Sequence, residues 1–159
     1  MKLIAYEIEE DEVKYFKEIA ANLIIEIVYT EKTLNDKTIE MARGCDGVSI
    51  LGQSKIDSAI MDQLKALNIH YLSTRTIRYD HIDMDYAKRI GIKVAYSSYD
   101  SKAVAEFVRG SDSLKKQQDT DMFLYADAVV RNMVISSVYA LVSFVNRGDN
   151  NNPASLYCK

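Results

Sequence analysis

Residues 71–94 read YLSTRTIRYDHIDMDYAKRIGIKV, and the succession of residue types in this run decides the fold. Residues 69–73 are apolar and aromatic enough for a strand. A polar loop follows. Residues 82–90 then carry helical spacing and stop at Gly91, the residue type that most readily takes the left-handed turn ending a helix. Residues 92–96 form a further strand.

The same alternation runs back to the first residues. Residues 3–6 read as a strand, and residues 11–22 as a helix with Val13, Phe16, Ile19 and Ala20 on one face. Residues 24–29 are expected as a strand, 36–42 as a helix ending at Arg43 and Gly44, and 47–51 as a strand. A helix over 56–66 places Ile60, Leu64 and Leu67 inward. Strands alternating with helices argue for a parallel sheet covered on both faces. Five of them give an α/β fold class, a flavodoxin-like doubly wound five-stranded parallel sheet in the order 2-1-3-4-5.

Composition changes after Phe107. Residues 109–120, RGSDSLKKQQDT, are polar and read as a linker. Residues 126–145 read as a long helix, apolar on most sides through Val129, Val130, Met133, Val134, Val138, Leu141, Phe144 and Val145. A helix apolar that far round is normally buried, so it is expected to pack on the sheet. The domain plan is therefore 1–108 with 122–147 as one domain, 109–121 as linker and 148–159 as tail.

The formal net charge of −3 over 159 residues comes with no basic stripe, which leaves nucleic acid without an electrostatic footing. Cys45 and Cys158 lie far apart and outside any metal-ligand spacing, the usage of a reduced intracellular protein. The first residues, MKLIAYEIEEDE, turn acidic too early for a signal peptide. Residues 133–145 are interrupted by serines and fall short of the roughly 20 residues that cross a bilayer. A soluble cytoplasmic protein is expected, with no nucleic-acid or membrane partner and no metal.

Three blocks resemble the D-2-hydroxyacid dehydrogenases, the D-lactate dehydrogenase branch in particular. The first is residues 73–83, STRTIRYDHID. It follows the family pattern of arginine, two variable residues, glycine, one variable residue, Asp or Asn, Asn or His, Ile and Asp. Here the arginine is Arg75, the acids are Asp80 and Asp83, and Arg78 stands at the glycine position. The resemblance implies that backbone N–H groups of this loop face the substrate carboxylate. The second block, YDSKAVAEF over 99–107, is similar to the family's Tyr-Ser-Pro run, with Tyr99 at a pocket tyrosine and Asp100 and Ser101 replacing Ser-Pro. The third, YADAVVRNMV over 125–134, resembles the stretch just after the family's catalytic histidine.

In full-length relatives a whole nucleotide-binding domain separates the second and third blocks, and here only residues 108–124 do. The chain therefore resembles the substrate domain alone, with the two parts rejoined by the linker. Oxidising a 2-hydroxy acid needs a base, a cation for the carboxylate and a nicotinamide to take the hydride. The family's arginine and glutamate belong to the absent domain, and its histidine position falls on Asp121. No G-x-G-x-x-G occurs and the glycines stand singly, so no NAD binding is expected, although the family uses it. Ile77, Arg78, Tyr79, Tyr99 and Tyr125 are the substrate-side residues that the resemblance implies. His81 is read as structural and His70 as a surface residue. Arg75 is read as an anion ligand or as a cap on carbonyls. The acidic run 7–11 is read as a solvated helix start.

Other functions of this fold fail on particular residues. A phospho-receiver needs an aspartate where the third strand ends in Leu51, Gly52 and Gln53. A flavodoxin needs a phosphate loop where this chain has Glu7, Glu9 and Glu10. Two readings stand: a substrate domain inactive alone, or a non-catalytic module binding a small anion or serving assembly. Partners expected are a 2-hydroxy or 2-oxo acid and a second copy, met through a face around Tyr79, Tyr96, Tyr99, Phe107 and Leu124.

Overall fold

Leu3 and Ala5 face one side of β1 (Lys2–Ala5) and Ile4 the other, and all three are buried. This two-residue period with both faces covered is what a central parallel strand requires. The computed structural model describes residues 1–97 and 118–147, with the side chains of its last helix from residue 126 onward.

The elements follow in the order α1 (Val13–Leu23), β2 (Glu26–Tyr29), a 3-10 turn (Ile39–Ala42), β3 (Gly47–Ile50), α2 (Ser58–Ala66), β4 (Tyr71–Thr74), α3 (Met84–Ile90), β5 (Lys93–Tyr96) and α4 (Gln118–Arg147). The strands form one parallel sheet in the order β2-β1-β3-β4-β5, as expected. One face packs Ile4, Val48, Ile50 and Leu72 against Ile60, Met61 and Leu64 of α2 and Ala87 of α3. The other packs Leu3 and Ala5 against Tyr15, Phe16 and Ile19 of α1 and against Val134, Val138 and Leu141 of α4.

Helix α4 has a seat because the strands beneath it carry small side chains. Gly47, Ser49, Ser73 and Ala95 lie on that side of the sheet, all buried. Tyr71 stacks on Phe144 with ring centroids 5.8 Å apart. The helix is long and apolar enough over Ala126–Arg147 to cross a membrane by length and composition, which exceeds the apolar stretch read from sequence. Its Val134, Val138, Leu141 and Phe144 are instead buried against this sheet.

Several boundaries move, each for a local reason. Residues 36–42 give only the 3-10 turn, because Asn35 and Thr38 spend their side chains on the nearby backbone. Thr38 Oγ1 donates to the Thr33 carbonyl at 2.6 Å, and Lys37 N donates to Asn35 Oδ1 at 2.9 Å. Such bonds compete with the helical ladder. The helices expected from residues 56 and 82 start two residues later, because Ile56 and Ile82 pair as an isolated parallel bridge. The side chains of Asp57 and Asp83 then cap α2 and α3. Gly91 takes the left-handed cap at φ 79°. Helix α4 begins at Gln118, so the last residues of the stretch expected as linker are helical. The rest of that linker and the tail lie outside the described residues.

Candidate substrate site

The loop between β4 and α3 leaves the sheet at its carboxyl edge, where open α/β sheets take their ligands. Its root is firmly held. Arg75 N donates to the Ile50 carbonyl at 2.8 Å, Thr74 Oγ1 to the Leu51 carbonyl at 2.8 Å, and Ser97 N to the Thr76 carbonyl at 3.1 Å. Within the loop, Thr76 Oγ1 donates to the Arg78 carbonyl at 2.5 Å, and Ile82 N to the Tyr79 carbonyl at 3.0 Å.

Between these ties Ile77, Arg78 and Tyr79 are exposed, and among the described residues their backbone N–H groups have no acceptor. Three consecutive N–H donors are thereby left open at the surface of the loop. The Tyr79 ring rests on Tyr96 at 4.8 Å between centroids, and Ile77 and both tyrosines are more than 40% exposed. Arg78 is solvent-exposed and pairs loosely with Asp80 at 3.3 Å. The Asp80 carboxyl is held below its ordinary range, first by its own backbone N–H and then by the Arg78 charge.

His81 is half-buried, with Nε2 3.4 Å from Thr74 Oγ1, a place inside the loop wall that fits a structural role. His70 sits half-buried beside Asn68 Oδ1 at 3.3 Å. Tyr99 lies outside the described residues. Asp121 and Tyr125 fall within the span of α4, and their side chains are outside the described set. Phe107 and Leu124 of the expected association face are likewise outside it.

Arg75 is not available to a ligand. It is fully buried, donates through Nε to Glu12 at 2.7 Å and caps the carbonyls of Tyr6 and Glu7 at 2.9 and 3.1 Å. Of its two readings, the carbonyl cap holds. The acidic run is also not a solvated helix start throughout. Glu7 is buried at φ 56°, and its carboxylate accepts from Leu51 N and Gln53 N at 3.0 Å and from the Ser54 hydroxyl. A carboxylate that gathers three donors is held for structure. Sequence reasoning missed Glu7, Glu12 and Ser137, because their partners lie tens of residues away.

The described residues do not fit a dinucleotide. The loop after β1 presents the buried Glu7 and the exposed Glu9 and Glu10, whose charges repel a pyrophosphate. Gly47 is filled against Leu3 and Leu141, while Gly44 and Gly91 stand in left-handed turns. Among the described residues no three His, Cys, Asp or Glu side chains are grouped for a metal ion. The thiol of Cys45 is buried, and burial pushes its pKa up, which makes it a packing group.

Fold and loop together define a doubly wound α/β domain with an exposed loop beyond β4. The family model for the D-isomer specific 2-hydroxyacid dehydrogenase, catalytic domain, matches residues 2–155, and the chain belongs to that family. It is 33% identical over 108 residues to the D-2-hydroxyacid dehydrogenase (NAD+) of Lacticaseibacillus paracasei, covering 67% of this chain and 32% of the relative. It is 30% identical over 111 residues to the D-lactate dehydrogenase of Escherichia coli, covering 69% and 34%. The apo structure of that Escherichia coli enzyme superposes with a TM-score of 0.62 at 30% identity, over 69% of this chain and 35% of that one. A Salmonella D-lactate dehydrogenase aligns over 98% of this chain and 55% of its own at TM-score 0.63 and 21% identity, a likeness of fold. The chain spans about a third of the length of the curated relatives it matches.

Proposed function

We propose that this chain is the substrate-binding domain of a D-lactate-type 2-hydroxyacid dehydrogenase, in cytoplasmic surroundings, and that it holds a 2-hydroxy or 2-oxo acid without turning it over alone. The observation that carries this reading is the run of open N–H groups at Ile77, Arg78 and Tyr79, at the position where the resemblance expects the carboxylate. A carboxylate oxygen accepts from such donors without any charged group being buried. Arg78, which replaces the family's glycine, adds a cation at the rim of the same loop. Tyr99 and Tyr125 complete the expected set.

Chemistry beyond binding needs groups that the described residues do not provide. Hydride transfer calls for a bound nicotinamide, and the loops here repel its phosphates. The base position falls on Asp121, and an aspartate, which ordinarily ionises near pH 3.9, is a poor proton acceptor at neutral pH. On this reading residues 109–121 stand in place of the nucleotide-binding domain, and the face around Tyr79 and Tyr96 meets a second copy. A non-catalytic anion-binding module rests on the same open donors and differs in ligand choice.

An amide-resolved NMR titration of the purified chain with pyruvate tests the proposal. Shifts confined to Ile77, Arg78, Tyr79 and their neighbours, with no NADH consumed in a parallel assay, are the expected result. Unmoved signals at millimolar pyruvate would reject it. Equal shifts with inorganic phosphate would favour the anion module.

A further inference from the structure

We propose that Arg75 is the positioning residue for the loop 76–79, and that Ser137 of α4 belongs to the same device. The proposal rests on the reading of that loop as a carboxylate site, because what is positioned is its row of open N–H groups.

The guanidinium of Arg75 reaches into the junction of three elements. It pairs with Glu12 beside the first turn of α1 and caps the chain leaving β1 at Tyr6 and Glu7. Nη1 donates to Ser49 Oγ of β3 at 3.0 Å. Phe16 lies under its plane at 5.4 Å. From Ser49 the hydrogen bonds continue to Ser137 Oγ at 2.9 Å and on to Ser73 Oγ at 2.7 Å, one residue before Thr74 at the loop's root. Arginine only donates, so the Ser49 proton is left for Ser137. The chain of bonds links the seat of α4 to the strand that launches the loop.

Stability by itself does not account for this arrangement. A buried ion pair gives little or nothing over well-packed apolar residues of the same volume, because both charges must be taken out of water. What the planar guanidinium supplies is direction. Its fork must meet the Glu12 carboxylate, a hydroxyl and two carbonyls at once, so the side chain has one place to be. The backbone of Arg75 is thereby fixed, and the next peptide opens the loop. Sites held by such supporting bonds keep their geometry, whereas unsupported loops do not. Arg75 touches no ligand; it acts through the loop.

The test compares the full chain with Arg75→Lys, Ser137→Ala and Met61→Ala. Backbone order parameters of residues 76–79 and the pyruvate affinity are read below the melting temperature of every variant. Lysine keeps the charge but cannot form the fork. It is expected to weaken pyruvate about tenfold, the loss of roughly one charged hydrogen bond, and to lower the loop order parameters toward about 0.6. Ser137→Ala is expected to move both readouts the same way and less. Met61→Ala, in α2 on the other face of the sheet, lowers stability without touching the network and should leave affinity unchanged. Folded Arg75→Lys with wild-type loop order would overturn the proposal, as would an equal loss of affinity in Met61→Ala. If Arg75→Lys does not fold, unchanged readouts in Ser137→Ala overturn it instead. If the wild-type chain takes no pyruvate, the functional reading fails, and the order parameters alone decide the positioning role.

Discussion

Gly47 of β3 lies directly beneath Leu141 of α4. A Cβ built on the glycine would stand 3.3 Å from Leu141 Cδ2 and 3.2 Å from Leu3 Cδ2. Gly47→Ala is therefore expected to overpack this face and cost about 1–3 kcal/mol. Leu141→Ala should cost about 2–5 kcal/mol through the cavity it leaves. The two together should cost less than their sum, since each relieves the other's misfit. Urea unfolding of the four chains measures all three terms, and strict additivity would mean the helix does not bear on Gly47.

Arg75 and Glu12 should be worth more as partners than either is alone. Arg75→Met leaves the Glu12 carboxylate buried without its cation and is expected to destabilise the fold by about 3–5 kcal/mol. Replacing both, as Arg75→Met with Glu12→Leu, should recover most of that. A double variant as unstable as the single one would place the cost in packing rather than in charge.

Ile24 closes α1 in a left-handed conformation, φ 53° and ψ 50°, with 92% of its surface exposed. The branched side chain contributes little burial and strains the backbone by roughly 1–2 kcal/mol. Ile24→Gly is expected to stabilise the chain by about 1 kcal/mol and to raise its melting temperature by a few degrees. A lower melting temperature would show that the exposed isoleucine packs in solution.

Asp127 of α4 receives a hydrogen bond from Lys14 of α1 at 2.6 Å. That bond is the leading cause holding its carboxyl below the ordinary 3.8, and the Lys14 ammonium is raised in turn. A carboxyl lowered in the folded state adds stability above its unfolded pKa and loses it as pH falls through the folded value. A raised lysine adds stability that is lost as pH rises through its own folded pKa. The link between the two helices should thus hold across neutral pH and weaken in acid. An NMR titration should give Asp127 a midpoint below 3.8, moving part of the way back in Lys14→Ala, since Tyr15 and Arg131 also lower it.

The rings of Tyr79 and Tyr96 meet at a tilt of 38° at the exposed carboxyl edge of the sheet, in the same loop region as the exposed Ile77. Apolar surface grouped in this way tends to find a partner. Sedimentation should show weak dimers at high concentration, shifted toward monomer by Tyr79→Glu with Tyr96→Glu and no loss of helical signal. A wild-type chain that remains monomeric would set the association aside.

The period-two strands, the helical spacing of residues 11–22 and the Gly91 stop were legible because neighbours in sequence cause them. Strand order was legible only through the flavodoxin-like arrangement that five alternating strands suggest. The loop of residues 77–79 was legible as a site through the motif around it. What the tertiary structure decided is the fate of the polar residues. Glu7, Glu12, Arg75 and Ser137 are charged or polar, and each is buried. A charge or hydroxyl can leave water only if its partner is in place. Here those partners come from other elements, Glu12 meeting Arg75 across 63 positions and Ser49 meeting Ser137 across 88. No local pattern encodes such distances. They exist only once the sheet has brought β1, β3, β4, α1 and α4 to a common edge.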